Sequence, residues 1–341
     1  MNNIFCTLFD VNYLDKGIVL YKSLERVCQT FKLYVFCFDD KTYEVLNQLS
    51  FKNMILVSKH DFEDEILLNL KKQRSPAEYC WTCTPITIEY VLKKYNEHIC
   101  TYIDADMLFY DDPSILIDEM LLNNGSILIV EHRFPKRKEK QLNSIHGRYC
   151  VEFNTFLNNS QGLECLDWWK ASCIKECKYS KDPKENVGDQ KYLESFEKKF
   201  SGVHVLEHIG GGVAPWNFKN YLFSEQNGSI FIKEKSGEWK SLVFCHFQNI
   251  RYISRRLVNI KSNTSNRFIR NNIYIPYLKE IEIVRSMLLS RYNIGFSIKK
   301  SYYKNPIKRF IQNYIMPFKI WPLSDLVSLR RIRKHENDSL Q

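Results

Sequence analysis

Five short apolar runs in the first 130 residues alternate with segments of helical periodicity, and this alternation restricts the fold more than any other feature. Each run has the length of a buried strand. Strands that alternate with helices form parallel βαβ units, in which helices cover both faces of the sheet. We therefore expect an α/β fold. The runs are residues 3–9, 32–38, 54–58, 98–104 and 126–130.

Two proline-containing pairs indicate where helices begin. Proline is favoured at the first position of a helix, directly after a capping side chain. Thr84-Pro85 and Asp112-Pro113 both have this form. Asp15 can likewise cap the helix that follows the first run. We therefore interpret Asp112 as a structural residue.

The segment TYIDADMLFYDDP, residues 101–113, contains four aspartates directly after an apolar run. Asp104 and Asp106 follow the fourth run, while Asp10 and Asn12 follow the first. Ligands of open α/β sheets bind outside the carboxyl ends of the strands, so these two loops are expected to meet at one crevice. Carboxylate pairs bind Mg²⁺ or Mn²⁺ and leave positions for phosphate oxygens. We interpret Asp104 and Asp106 as metal ligands; the alternative is an ordinary acidic loop, because D-x-D is common by chance.

Two further places could carry chemistry. His246 ends an apolar run at 241–247; it is either an ordinary core histidine or, if that strand returns beside the aspartates, a third metal ligand. Asp189 and Gln190 begin a predicted helix over 188–200. Asp189 either caps this helix or, with Gln190, stands beside a reacting substrate.

The eleven cysteines do not form the pattern of a disulfide framework, because their number is odd and many lie in apolar runs. A free thiol in such a run behaves as a small core residue. The N-terminus lacks the basic region of a signal peptide. We expect a reducing, cytoplasmic compartment and no membrane-spanning helix, since no run approaches about 18 apolar residues. The CWTC segment at 80–83 has redox or zinc spacing, but no second pair matches it.

The net charge of +10 is concentrated at the C-terminus, where residues 297–341 hold ten Lys or Arg and three Asp or Glu. Basic residues alternate there with aromatic and aliphatic ones, a composition that suits an anchor at an anionic membrane surface. A solvated tail is the alternative. We expect no nucleic-acid partner, because the rest of the chain is nearly neutral and no RNA-binding module is recognisable.

Six segments occur in an order that resembles bacterial sugar-nucleotide glycosyltransferases of the GT-A fold, in particular the glycosyltransferase family 8-like group. They are FCTLFDVNYLDKGIVLYKSL, TYIDADMLF, an FN-containing strand, GDQKYL, GGGVAPWN and FCHF. The resemblance implies a GT-A-type, Rossmann-like sheet that is mixed but mostly parallel, in a domain over residues 1–250. Its nucleotide-binding half would span about 1–130 and its sugar and acceptor half about 131–250. A helical extension at 251–296 and the basic tail would follow.

The resemblance also implies a role for each matching residue. Cys6 and Thr7 would meet the nucleobase. Contacts to the base and ribose would come from Asp10, Asn12 and Tyr13. Asp104, Asp106 and His246 would bind Mn²⁺ or Mg²⁺, with the two aspartates also binding the donor diphosphate. The donor sugar and acceptor would lie against Asn154, Asp189 and Gln190.

The implied activity is metal-dependent transfer of a hexose, with retention, from a UDP-sugar to a glycan or glycolipid in lipopolysaccharide or capsule synthesis. Asp189 is the candidate nucleophile for a double displacement, and a same-face mechanism needs none. The enzyme would be cytoplasmic and peripheral on the inner face of the membrane. A metal-dependent nucleotidyltransferase and a non-catalytic membrane-surface or RNA-binding protein remain alternatives. One departure is that FCHFQNIRYI lacks the glycine of the family's ending, and no Lys-Pro-Trp follows.

Overall fold

The computed structural model describes residues 3–179, 188–254, 257–262, 264–296, 326–329 and 332. Its strands are β1 (Asn3–Phe9), β2 (Phe31–Cys37), β3 (Met54–Ser58), β4 (Ile99–Ile103), β5 (Met107–Phe109), β6 (Ile127–Glu131), β7 (Tyr149–Leu157), β8 (Val203–Val205), β9 (Tyr221–Gln226), β10 (Ser229–Glu234), β11 (Lys240–Ser241), β12 (Phe244–His246), β13 (Arg251–Ser254), β14 (Leu257–Asn259) and β15 (Leu326–Ser328).

The α-helices in the same part of the chain are α1 (Leu14–Val27), α2 (Asp40–Leu49), α3 (Lys59–Phe62), α4 (Glu65–Gln73), α5 (Pro76–Lys94), α6 (Ser114–Leu122), α7 (Glu139–His146), α8 (Ser160–Lys175), α9 (Phe196–Lys199) and α10 (Ile275–Tyr292). Short 3₁₀-helices cover Val11–Tyr13, Gln190–Ser195 and Phe218–Asn220, and a π-helix covers Ile269–Tyr274.

A seven-stranded sheet in the order β3-β2-β1-β4-β7-β6-β8 forms the centre of the molecule. Its neighbours pair in parallel except at β7, which is antiparallel to both β4 and β6. The α/β class and the mixed, mostly parallel sheet are therefore confirmed. Strands β1, β4 and β7 are almost wholly buried, because helices pack on both faces of the sheet.

A two-stranded ladder brings the late histidine to the acidic segment. Strand β5 begins directly after Asp106 and pairs antiparallel with β12, so that His246 lies opposite Met107. The backbone N–H of Phe247 donates to the carbonyl of Asp106 at 2.8 Å, which continues the pairing. Strand β5 is too short, at three residues, to stand out in the sequence.

The predicted helix start at Thr84-Pro85 is wrong. Helix α5 begins nine residues earlier, at Pro76, and contains both residues in its interior. Ser75 and Glu78 form a capping box there, with each side chain accepting from the other's backbone N–H. This reciprocal capping satisfies two helix-end donors, so the earlier of two similar signals begins the helix.

Three other predicted helix starts also shift. Tyr13, not Asp15, occupies the N-cap of α1. Pro113 is the N-cap of α6, yet Asp112 Oδ1 accepts from the backbone N–H of Ser114 at 2.9 Å, in line with a structural role. The segment expected to be one helix over 188–200 is a 3₁₀-helix followed by α9.

The segment expected to be a helical extension begins with strands β13 and β14 and continues into α10, which packs on α1. Two ion pairs join these helices. Arg26 and Glu280 form an exposed pair at 2.9 Å, and Arg285 Nε donates to the buried Asp15 at 2.6 Å.

Most of the basic tail lies outside the described residues. One part of it, β15, pairs with β14. Among the helices that the structure describes, none is both long and apolar enough to span a bilayer. All eleven cysteines are free.

Candidate active site

Two aspartates and one histidine come together at the carboxyl edge of the central sheet. Asp104 and Asp106 lie between β4 and β5, and His246 ends β12. His246 Nε2 is 3.1 Å from Asp106 Oδ1 and 3.6 Å from Asp104 Oδ2. One ligand atom from each residue lies within 4.8 Å of the others, as a shared metal ion requires. The structure thus brings together the three residues that the sequence suggested as metal ligands.

Glu152 fixes the orientation of His246 from the other side of the ring. Its Oε2 is 2.7 Å from His246 Nδ1, and the carboxylate is fully buried. A histidine whose Nδ1–H donates to a carboxylate presents Nε2 as the metal-binding nitrogen. Sequence reasoning missed Glu152; the available signal was a glutamate inside an apolar strand, where an unpaired carboxylate is costly.

The two aspartates differ in their protonation equilibria. Burial, together with repulsion from Asp106 and Glu152, raises the pKa of Asp104 to about 7, although His246 and Tyr102 act in the opposite direction. Burial also acts to raise the pKa of Asp106, but the charges of Lys16 and His246 outweigh it and hold that pKa well below its usual range. Crowded carboxylates of this kind favour a cation between them.

Lys16 is a second residue that sequence reasoning missed. Its Nζ lies 3.2 Å from Asp106 Oδ2, and it also lies over the ring of Tyr13, 3.8 Å from the centroid. Asp106 therefore uses one carboxylate oxygen for His246 and the other for Lys16.

Asp189 lies close enough to Asp104 for their charges to interact. It is buried, and burial, reinforced by the charge of Asp104, raises its pKa to about 7 against the effect of a hydrogen bond with Thr84. Asn154 is fully buried on β7, directly opposite Tyr102 of β4, whose hydroxyl donates to Asp104 at 3.0 Å. Neither amide atom of Asn154 has a hydrogen-bond partner within the part of the chain that the structure describes.

The remaining candidates vary in their access to a ligand. Gln190 Nε2 donates to the carbonyl of His146 at 2.6 Å, so one of its two amide N–H bonds is engaged. Cys6 and Thr7 are fully buried, and Thr7 Oγ1 has no hydrogen-bond partner among the described residues. Asp10 accepts from both the backbone and the side-chain amide of Asn12 at 3.0 and 2.9 Å, which orders the loop after β1.

The glycine-rich loop after β8 brings an aromatic side chain, Trp216, to one side of this region. Arg133 donates four hydrogen bonds to backbone carbonyls between Leu206 and Gly211 and thereby holds the glycine-rich loop in place. Farther along this loop, the half-buried Trp216 lies edge-on to His246, with 5.5 Å between ring centroids.

Sequence comparison finds relatives in Bacillus subtilis strain 168, while no family model matches the chain. The uncharacterized protein YfnF is 36% identical over 261 residues, which cover 74% of this chain and 84% of YfnF. The uncharacterized protein YfnD is 29% identical over 282 residues, which cover 82% of this chain and 88% of YfnD.

Solved structures that are similar to this chain include glycosyltransferases. The galactosyltransferase LgtC, in complex with donor and acceptor sugar analogues, matches with a TM-score of 0.48 and 12% identity, over 74% of this chain and 90% of LgtC. Mouse xyloside xylosyltransferase 1 matches with a TM-score of 0.42 and 12% identity, over 60% and 85% of the two chains. At this level of similarity, the function has to be inferred from the site itself.

Proposed function

This chain belongs to the family of the Bacillus subtilis protein YfnF, and we propose that it is a metal-dependent glycosyltransferase. In the proposed reaction, a hexose passes from a UDP-sugar to a hydroxyl of a glycan or glycolipid during synthesis of a surface polysaccharide. The observation that carries the proposal is the cluster of Asp104, Asp106 and His246, whose ligand atoms lie within 4.8 Å of one another. The cluster lies where open α/β sheets bind their ligands.

The donor set fits Mn²⁺ or Mg²⁺. Two carboxylates and one imidazole leave open positions for phosphate oxygens and water. When bound at Asp104, Asp106 and His246, the ion would offset the negative charge on the departing diphosphate.

The buried amide of Asn154 supports the binding of a polar ligand beside β7. Buried amides without a partner are rare because each unpaired group costs free energy. The hydroxyls of the donor sugar would supply the missing donors and acceptors. Asn154 would therefore bind and orient the hexose.

Asp189 is the candidate catalytic carboxylate. With a pKa of about 7, it would be partly ionised at neutral pH. In a double displacement the ionised form would attack the anomeric carbon and release UDP. The acceptor hydroxyl would then lose its proton and displace Asp189 from that carbon. In a same-face mechanism it would only position the sugar, and both routes retain the anomeric configuration. Gln190 donates one N–H of its amide to the His146 carbonyl, and its amide oxygen or second N–H would contact the acceptor.

Calorimetric titration with UDP, in the presence and absence of Mn²⁺, tests the proposal. We expect Mn²⁺-dependent binding by the wild type and its loss in Asp106→Asn. Asp111→Asn is the matched control, because Asp111 lies in the same acidic segment but outside the metal cluster. Absence of UDP binding by the folded wild type would overturn the proposal.

The reaction product separates this activity from the nucleotidyltransferase alternative. A glycosyltransferase releases UDP from a UDP-sugar, whereas a nucleotidyltransferase forms or consumes pyrophosphate. Chromatography of the nucleotides after incubation with UDP-sugars and Mn²⁺, with and without added pyrophosphate, distinguishes them. Pyrophosphate-dependent conversion of the UDP-sugar to UTP would favour the alternative.

We also propose that the enzyme works at the cytoplasmic face of the membrane, held there by the basic tail. Charge substitution is a better test than deletion, because β15 within the tail pairs with β14. Replacing the five basic residues from Lys299 to Arg309, both included, by glutamine should abolish flotation with anionic vesicles. Unchanged flotation would contradict the anchor.

A further inference from the structure

Lys16 is held against the metal cluster by the packing of α1. It is the third residue of α1, and the next residue, Gly17, touches the end of β1. A Cβ at Gly17 would lie 2.3 Å from the ring of Phe9. The glycine lets α1 pack against the Phe9 ring without displacing it, and in this packing Lys16 lies beside Asp106.

The neighbouring carboxylate does not compete for the Lys16 ammonium. Asp15 is fully buried and accepts from Arg285 Nε at 2.6 Å. The Lys16 ammonium lies instead 3.2 Å from Asp106 Oδ2, with its side chain only 16% exposed. A mostly buried ammonium is retained where it meets an anion, because its desolvation is costly.

A divalent ion on Asp106 would change the surroundings of Lys16. The ion and the ammonium would then share one carboxylate and repel each other. A second anion that contacts both cations removes this repulsion, and a diphosphate has oxygens on two adjacent phosphorus atoms that can do so. Ammonium groups are common phosphate ligands in proteins.

We propose that Lys16 is a diphosphate-binding residue, which pairs with Asp106 in the free protein and with a phosphate oxygen of the nucleotide when the metal is bound. This inference rests on the proposed function and adds a residue to its donor site. The competing interpretation is that Lys16 only fills the place of the divalent ion. The two interpretations differ in their prediction for UDP affinity: removing the Lys16 charge weakens it in the first and leaves it unchanged in the second.

The test uses the full chain with Lys16→Met, which removes the charge and nearly keeps the length. Isothermal titration gives three affinities: for Mn²⁺ alone, for UDP at saturating Mn²⁺, and for uridine at saturating Mn²⁺. We expect equal or tighter Mn²⁺ binding, because a competing cation is gone. UDP binding should weaken by about 10- to 100-fold, the usual effect of losing a charge-assisted hydrogen bond. Uridine binding should not change.

Lys22→Met is the matched control, since it makes the same substitution on the same helix. It should leave all three affinities at the wild-type values. If Lys16→Met does not fold, Lys16→Gln gives the same signs with a polar side chain.

Tighter Mn²⁺ binding with unchanged UDP binding would overturn the proposal and leave Lys16 as a substitute for the ion. An equal loss of UDP and uridine binding would also overturn it, because the effect would not be specific to the diphosphate. Failure of the wild type to bind UDP would instead overturn the proposed function, and the role of Lys16 with it.

Discussion

The hydrogen bond between Glu152 and His246 makes a quantitative prediction for metal affinity. Glu152→Gln keeps an oxygen that can accept from His246 Nδ1 but removes the charge that polarises the ring. The carboxylate is fully buried and 2.7 Å from Nδ1, so no water replaces its effect. Comparable changes to the partner of a metal-binding histidine weaken metal affinity by about 10- to 100-fold. This corresponds to about 1.4 to 2.8 kcal/mol, at 1.4 kcal/mol for each factor of ten.

A double-mutant cycle identifies the route of this effect. Mn²⁺ affinity is measured by titration for the wild type, Glu152→Gln, His246→Ala and the double variant. If Glu152 acts through His246, the double variant binds Mn²⁺ as weakly as His246→Ala alone. Glu131→Gln is the matched control, because Glu131 belongs to the neighbouring strand β6 and pairs with Arg148 at the surface.

Two results would refute the reasoning. One is a Glu152→Gln affinity equal to that of the wild type in a folded sample. The other is a Glu152→Gln effect that persists at full size in the His246→Ala background, which would mean that the carboxylate acts on the ion directly.

Three further predictions concern stability and ligand selectivity. Arg285→Met should lower the free energy of unfolding by about 3 to 5 kcal/mol, because it leaves Asp15 buried and uncompensated. Arg26→Met, in the exposed pair, should lower it by at most about 1 kcal/mol. Equal losses for the two variants in urea unfolding would contradict this prediction. Burial holds the pKa of His132 at about 3, so its contribution to stability is present above its unfolded pKa and is lost as the pH falls. The wild type should therefore lose about 2 kcal/mol more than His132→Gln between pH 8 and pH 5, and equal losses would contradict the assignment. Asn154→Leu should leave the free energy of unfolding unchanged or raised, because an unpaired buried amide is removed. The same variant should bind a UDP-sugar more weakly and UDP as well as the wild type does. A decrease in the free energy of unfolding above about 2 kcal/mol would show that the amide is paired.

The sequence indicated for a physical reason where the two aspartates would lie. Strand lengths and alternation indicate a parallel sheet, and in such a sheet polar residues that follow different strands meet at one edge. Asp104 and Asp106 could be selected on this basis alone. His246 could not, because its position depends on β12 pairing with the three-residue β5.

Lys16 and Glu152 escaped prediction because their partners are distant in sequence. Lys16 meets Asp106 across 90 residues, and Glu152 meets His246 across 94 residues. A glutamate inside an apolar strand marks Glu152 as unusual, but no local pattern identifies the distant partner of either residue. Local signals also compete with each other, as the wrong helix start at Thr84 illustrates: two proline-containing caps lie close together, and the capping box at Ser75 decides between them.

The central claim is that one metal ion is held by His246 and the two aspartates and in turn holds a nucleotide diphosphate. Pulsed electron paramagnetic resonance of bound Mn²⁺ with UDP tests this most directly, because it detects nuclei that couple to the ion. We predict coupling to one imidazole ¹⁴N and to ³¹P in the same sample, with the ¹⁴N signal lost in His246→Ala. A ³¹P signal without imidazole nitrogen in the wild type, or no ³¹P signal with UDP present, would contradict the claim.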